Sequence, residues 1–137
     1  MSDNKSSFWK NFDQNKITHS VTHYLFAIDT LNKEQGYARA VDLAKKLDIT
    51  AWSCSTWLKW LLKKELIIED ENKFIKLTEE AKEIIDWIAK TRKTFIKFFH
   101  KELWISKEQS AINACKIEHL IDLEITKKLE KHIDKRQ

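Results

Sequence analysis

The sequence predicts a mostly α-helical chain with one short β-hairpin. Three observations carry this reading. The 137 residues hold one glycine and no proline, whereas sandwiches, barrels and phosphate-cradling loops depend on such turn residues. Apolar residues recur at helical spacing through most of the chain. Only the stretch from Leu66 to Leu77 departs from that period, with two β-prone runs around a polar tip.

Hydrophobic residues make up 42% and charged residues 34%, a balance that builds a core and is not that of a disordered chain. No run of about 18 apolar residues exists, so no transmembrane helix is expected. The opening MSDNKSSFWKNF has no apolar stretch of the signal-peptide type. Two cysteines are too few for a secreted disulfide framework. The expectation is a cytoplasmic protein without a membrane partner. A net charge of +4 and a pI near 9.0 permit a nucleic-acid partner without requiring one.

Residues Met1 to Lys16 read as a polar arm, with Phe8, Trp9 and Phe12 as its apolar members. Ile17 to Lys33 is a helix whose stripe Ile17, Val21, Leu25, Ile28 and Leu31 faces a core. His19, His23, Phe26 and Thr30 fall on its opposite face, at about 100° per residue. Such a helix fits between two layers. Gly36 ends the region. Ala40 to Leu47 is a short helix with Val41, Leu43, Ala44 and Leu47 as its apolar set. Asp48 and Ile49 make a tight turn, and Thr50 caps a helix reaching about Lys64. In it Cys54, Leu58 and Leu61 face inward. Two short helices across so tight a turn predict a helix-turn-helix.

Leu66–Glu69 and Phe74–Leu77 are the strands of a wing, with Asp70 to Lys73 at its tip. Thr78 caps a long helix, and Glu79 and Glu80 suit its first turn. Ile84, Ile85, Ile88, Phe95, Phe98 and Phe99 make that helix too apolar for solvent, which predicts self-packing in a homodimer. Ser106-Lys107-Glu108-Gln109 is a capping box. The helix it opens carries Ile112, Cys115, Glu118, His119 and Ile121. A last helix covers about Glu124 to Ile133. The expected division is an arm (1–16), a winged helix-turn-helix domain (17–78) and a helical domain (79–137).

Two clusters carry metal chemistry. Cys115, Glu118 and His119, at i, i+3 and i+4, would share one helix face and offer a thiolate, a carboxylate and an imidazole. His19 and His23, at i and i+4, can point at one ion. The ordinary alternatives are a buried thiol beside a surface Glu–His pair, and two solvated histidines.

The helix-turn-helix brings a third set. Ser53, Thr56, Lys59 and Lys63 on the outward face suit base edges and phosphates, and Arg39 and Lys46 could hold phosphates. Thr50, Ser55 and, on the wing, Lys73 complete the candidate DNA contacts. Trp52 and Trp60 also fall on the outward face, where indoles follow base edges poorly; Trp57 lies nearer the core edge. Glu69, Asp70 and Glu71 make the wing tip acidic. These features favour a ligand or partner surface over strong DNA affinity. No catalytic triad or phosphate cradle is readable, so an enzyme is not expected.

With these motifs in view, the chain resembles the metal-dependent repressors named for the diphtheria toxin repressor. Its size is that of the short members, the manganese transport regulators without an SH3-like domain. The resemblance spans about Ile17 to Ile133. It is carried by THYLFAIDTL, GYARAVDLAKKLDIT, EDENKFIKLTEEA and, most specifically, NACKIEHLID. It implies that Cys115, Glu118, His119 and His23 bind a divalent metal corepressor, with His19 as an extra ligand. It also implies that a homodimer presents two winged helices to a double-stranded DNA operator.

The chain departs from the family in several places. The second, ancillary metal position falls near Arg92 and Ile96, which cannot bind metal. Glu65 and Ala81 stand where relatives usually carry glycine, and the tryptophans stand where they carry small or polar residues. The thiol and imidazoles favour Fe²⁺, Zn²⁺ or Co²⁺ over Mn²⁺, and Fe²⁺ is the expected cofactor. The expected function is thus a metal-dependent DNA-binding regulator. The alternative is a winged-helix scaffold whose tryptophan face binds an aromatic ligand or protein partner.

Overall fold

The computed structural model of the chain describes residues 17–136; the arm reading for Met1 to Lys16 lies outside them. Helix α1 (His19–Gln35) starts where the Thr18 hydroxyl accepts a hydrogen bond from the Val21 amide at 3.3 Å. It stops at Gly36, whose φ of 83° is the left-handed conformation that glycine adopts without strain. Every member of the expected stripe from Ile17 to Leu31 is buried.

Helix α2 (Ala40–Leu47) ends at Asp48, itself left-handed with φ 53°. Thr50 then caps α3 (Ala51–Lys63) by accepting from the Ser53 amide at 3.1 Å. Cys54, Leu58 and Leu61 point inward as expected. Val41 does not: it is 57% exposed, because Leu43 and Ala44 fill the inward positions of so short a helix. Trp60 also departs from expectation. It is half-buried against the core, edge-on to Trp57 with ring centroids 5.9 Å apart.

The wing forms from β1 (Ile67–Glu69) and β2 (Ile75–Leu77), antiparallel, with Ile67 opposite Leu77 and Glu69 opposite Ile75. Its root is tied to the helices. The Ile75 amide donates to the Ala38 carbonyl at 2.7 Å, and the Asn32 side chain donates to the Ile75 carbonyl at 3.2 Å. At the tip, one Asp70 carboxylate oxygen accepts from the Asn72 and Phe74 amides, both at 2.9 Å. This side-chain turn spends the Asp70 charge on the loop itself. Glu65, before the wing, has φ 60°, a conformation that favours the glycine the resemblance calls for there.

Thr78 caps α4 (Glu79–Lys97) by accepting from the Ala81 amide, and its hydroxyl donates to the Glu65 carbonyl at 2.9 Å. Ala81 is fully buried at that junction. The helix widens into a π-helical turn at Phe98–Glu102. Ser106 caps α5 (Lys107–Ile117), and α6 (Leu123–Arg136) closes the fold. Helix α5 stops at Ile117, short of the expected Ile121, so Glu118 and His119 lie at and beyond its end.

One continuous core joins α1, α2, α3, the hairpin and the first half of α4. The other end is built differently: its buried residues are mostly polar, with Thr91, Thr94, Ser110, Glu118, His119 and Thr126 beside Ala114 and Ile133. There the hydroxyls of Thr91 and Thr126 share a 2.9 Å hydrogen bond between α4 and α6. Among the described residues no helix is long and apolar enough to cross a membrane.

Candidate metal centre

Helix α1 places His19 and His23 one turn apart on the side away from its buried stripe, with ring centroids 4.3 Å apart. The opposing wall is the C-terminal part of α5. One donor atom from each of His19, His23 and Cys115 lies within 4.8 Å of the others. In a tetrahedral site with bonds of about 2.0–2.3 Å, neighbouring donors stand roughly 3.5 Å apart. Small side-chain rotations therefore close this trio on one ion. His119 flanks it, with its ring centroid 6.0 Å from that of His19.

Glu118 is held elsewhere. It is 1% exposed, and both its oxygens are engaged by one guanidinium. Arg92 Nη2 donates to Oε1 at 2.6 Å, while Arg92 Nε donates to Oε2. The guanidinium also lies over the Phe26 ring of α1, with Cζ 5.0 Å from its centroid. The five expected donors thus separate into a trio, a flanking imidazole and an ion-paired carboxylate. The physical reason is the end of α5: beyond Ile117 the chain turns, with the Leu120 amide donating to the Ile117 carbonyl. Sequence reasoning missed the Arg92–Glu118 partnership. Nothing in the sequence around Arg92, which stands among Lys90, Thr91, Lys93 and Thr94, marks it out.

The electrostatics suit neutral donors. Desolvation, and then the neighbouring His19, lower the His23 pKa from the usual imidazole value, against the pull of Glu118. Desolvation and His19 lower His119 in the same way. Burial raises the Cys115 thiol, and Glu118 adds to this while Arg92 opposes it. His23 and His119 therefore take up a proton less readily than an ordinary imidazole. The thiol gives up its proton when an ion binds. Two or three imidazoles with one thiolate form a borderline-to-soft set, fitted to Zn²⁺, Co²⁺ or Fe²⁺ better than to Mg²⁺ or Ca²⁺.

The candidate DNA contacts fall into three groups. Arg39, Ser55, Lys59 and Lys73 line one groove of about 530 Å³ between α3 and the wing. Arg39 is anchored there by cation–π contacts, 4.9 Å to the Phe74 ring and 5.9 Å to that of Tyr37. Ser53 is half-buried on the first turn of α3, and Lys63 is exposed on its last turn. Thr50 and Thr56 are engaged locally, Thr50 as the cap and Thr56 by donating to the Trp52 carbonyl at 3.0 Å.

The tryptophans also divide. Trp57 stacks on Tyr24 at 5.1 Å. Trp57 and Trp60 line an apolar hollow of about 440 Å³ with Thr18, Val21 and Thr56. Trp52 alone of the three stands in solvent, 78% exposed. Trp104, on which the sequence reading was silent, is 89% exposed at the start of the α5 capping segment.

No protein-family model and no curated protein matches this chain. Solved structures do. A hypothetical protein from Sulfolobus solfataricus superposes with a TM-score of 0.75 at 22% identity, over 87% of this chain and 91% of that one. The metal-dependent transcriptional regulator MtsR matches with a TM-score of 0.70 at 17% identity, over 85% of this chain and 54% of its own. ScaR solved with bound Zn²⁺ matches with a TM-score of 0.71 at 18% identity, over 82% of this chain and 53% of its own. The chain thus spans about half the length of these named regulators. At such identities the likeness establishes the fold, a helical chain with a small antiparallel wing.

Proposed function

We propose that this chain is a metal-responsive, DNA-binding transcriptional regulator, a repressor acting as a cytoplasmic homodimer, with a divalent transition metal as corepressor. The observation that carries the reading is the trio His19, His23 and Cys115, because its members come from two parts of the fold. His19 and His23 belong to the first helix of the winged-helix part, and Cys115 belongs to the helices behind it. When bound, the metal supplies a bond between those parts. The neighbours support this: MtsR is a metal-dependent transcriptional regulator and ScaR a manganese-activated repressor. The soft donor set favours Zn²⁺, Co²⁺ or Fe²⁺ over Mn²⁺.

In this reading His19 and His23 fix the N-terminal end of α1, while Cys115 and the flanking His119 fix its distance from α5. Arg39, Ser53, Ser55, Lys59, Lys63 and Lys73 meet phosphates and base edges in double-stranded DNA. Regulation is a population shift, because the occupied trio stabilises one arrangement of the two parts over others. Half-buried Phe95, Phe98 and Phe99, with exposed Leu103 and Trp104, supply the surface for a second copy.

Titration of chelator-treated protein with Co²⁺ tests the reading. Thiolate-to-cobalt charge-transfer absorption should appear, saturate at one ion per chain and vanish in Cys115→Ser. No absorption change and no bound ion would refute it. One observation favours a second reading, in which a tryptophan face takes an aromatic ligand or protein partner: Trp52 stands in solvent on the recognition helix. Specific DNA binding that persists in Trp52→Ala but needs metal would exclude that alternative.

A further inference from the structure

The Arg92–Glu118 pair sits against the metal trio yet takes no part in it. The carboxylate is fully buried. A buried carboxylate without a cation is strongly disfavoured, so some positive charge has to stand beside Glu118. The chain provides it from α4, as a fork that fits both oxygens. The same guanidinium rests on Phe26 of α1. It thereby touches three elements at once: α4, which carries it, the end of α5, and α1. Glu118 is the C-cap of α5, three residues after Cys115 and next to His119 in the chain, so the carboxylate stands beside the trio. The carboxylate would therefore be available to an ion in the trio if the guanidinium were removed.

We infer that Arg92 is a tethered cation that permanently occupies Glu118, restricts the centre to one ion bound through nitrogen and sulfur, and so selects soft ions over Mn²⁺. This rests on the metal reading given above. With Glu118 engaged, the donors left to an incoming ion are imidazoles and a thiolate, which hard oxygen-preferring ions bind poorly. Freeing the carboxylate adds an anionic oxygen ligand and removes a neighbouring positive charge. Both changes favour Mn²⁺. The contact with Phe26 has a second effect: α1 is partly held against the C-terminal helices before any ion arrives.

The test compares Arg92→Gln, Arg92→Lys and the double variant Arg92→Gln/Glu118→Gln with the wild type, counting bound ions and measuring Co²⁺ and Mn²⁺ affinities by calorimetry. Arg92→Gln is expected to raise Mn²⁺ affinity at least tenfold, or to admit a second ion per chain. Arg92→Lys, which keeps the charge, should remain close to wild type. Glu118→Gln combined with Arg92→Gln, so that no unpaired guanidinium is left beside the centre, should leave Co²⁺ affinity within about threefold, since Glu118 is no ligand. This arm decides the matter even if Arg92→Gln alone fails to fold: a tenfold or greater loss of Co²⁺ affinity there would overturn the assignment. Unchanged Mn²⁺ affinity and ion count in a folded Arg92→Gln protein would overturn it too, while wild-type Co²⁺ binding left the metal reading intact. If neither wild type nor any variant bound an ion, the metal reading and this assignment would fall together.

Discussion

His19 opens the first turn of α1 and its ring stands 6.0 Å from that of His119, beyond the end of α5. Residues a hundred positions apart thus place their rings side by side, and desolvation together with the neighbouring His19 makes protonation of His119 harder. His23 and His119 both have pKa values below the ordinary 6.5. The unfolded chain therefore binds more protons than the folded one in the window just below 6.5. Stability should be full above that pH and decline as pH falls through the window toward the lowered folded-state values. Thermal melts of chelator-treated protein across pH 7.5 to 5 check this. His119→Gln should flatten the decline, and a wild-type melting temperature that rises on acidification would contradict it.

Removing a member of the trio should weaken ion binding directly. Cys115→Ala, His19→Ala and His23→Ala are each expected to lower Co²⁺ affinity at least about tenfold, equivalent to about 1.4 kcal/mol. Competition against a chromophoric chelator measures it. A similar loss in His119→Ala would make the flanking imidazole a fourth ligand.

The buried Thr91–Thr126 pair makes a prediction that is independent of function. Thr91→Val leaves the Thr126 hydroxyl with no partner in an interior that excludes water. The cost should be about 1–3 kcal/mol. Replacing both threonines with valine should restore most of it, since no polar group is then stranded. Urea denaturation of the two single variants and the double variant gives the cycle.

Much of this architecture was legible in the sequence. The caps Thr50, Thr78 and Ser106 announced their helices, because a hydroxyl before an apolar period is a local signal. The spacing of His19 and His23 exposed one wall of the centre, and Cys115 was visible as the other. The pairing of Glu118 with Arg92 was not. Periodicity tells which face a residue occupies but not where a helix stops when neither glycine nor proline marks the place. The 26 positions between the partners leave no local trace. Asp70 misled for a similar reason: it counts as an acidic charge in the sequence, yet its carboxylate serves as the hub of a turn. Trp60 fell on the outward arc of α3, and only the proximity of Trp57 shows how it tucks back.

DNA affinity should depend steeply on salt. Each phosphate contact releases counterions, so the logarithm of affinity falls by about 0.9 per contact for each logarithm of salt. Lys59→Ala should weaken binding and reduce that slope by about 1. Fluorescence anisotropy over a salt series reads both, and an unaltered slope would remove Lys59 from the phosphate contacts.

The apolar end of α4 should govern assembly. Phe98→Asp is expected to convert a dimer into a monomer at micromolar concentration, seen by light scattering, with far-ultraviolet circular dichroism unchanged. A dimer that survives the substitution would place the interface elsewhere.

Helix α1 connects the two ends of this molecule as a rigid lever. Its histidines sit at one end, and at the other Asn32 grips the root of the wing through the Ile75 carbonyl. At 1.5 Å per residue, the arm from His19 to Asn32 is roughly 20 Å long. By simple trigonometry on that length, a tilt of about 5° at the histidine end swings the far end by about 1.7 Å. A displacement of that size is comparable to the difference between a hydrogen bond made and one lost. The wing could therefore be steered from its far side by side chains that never approach it.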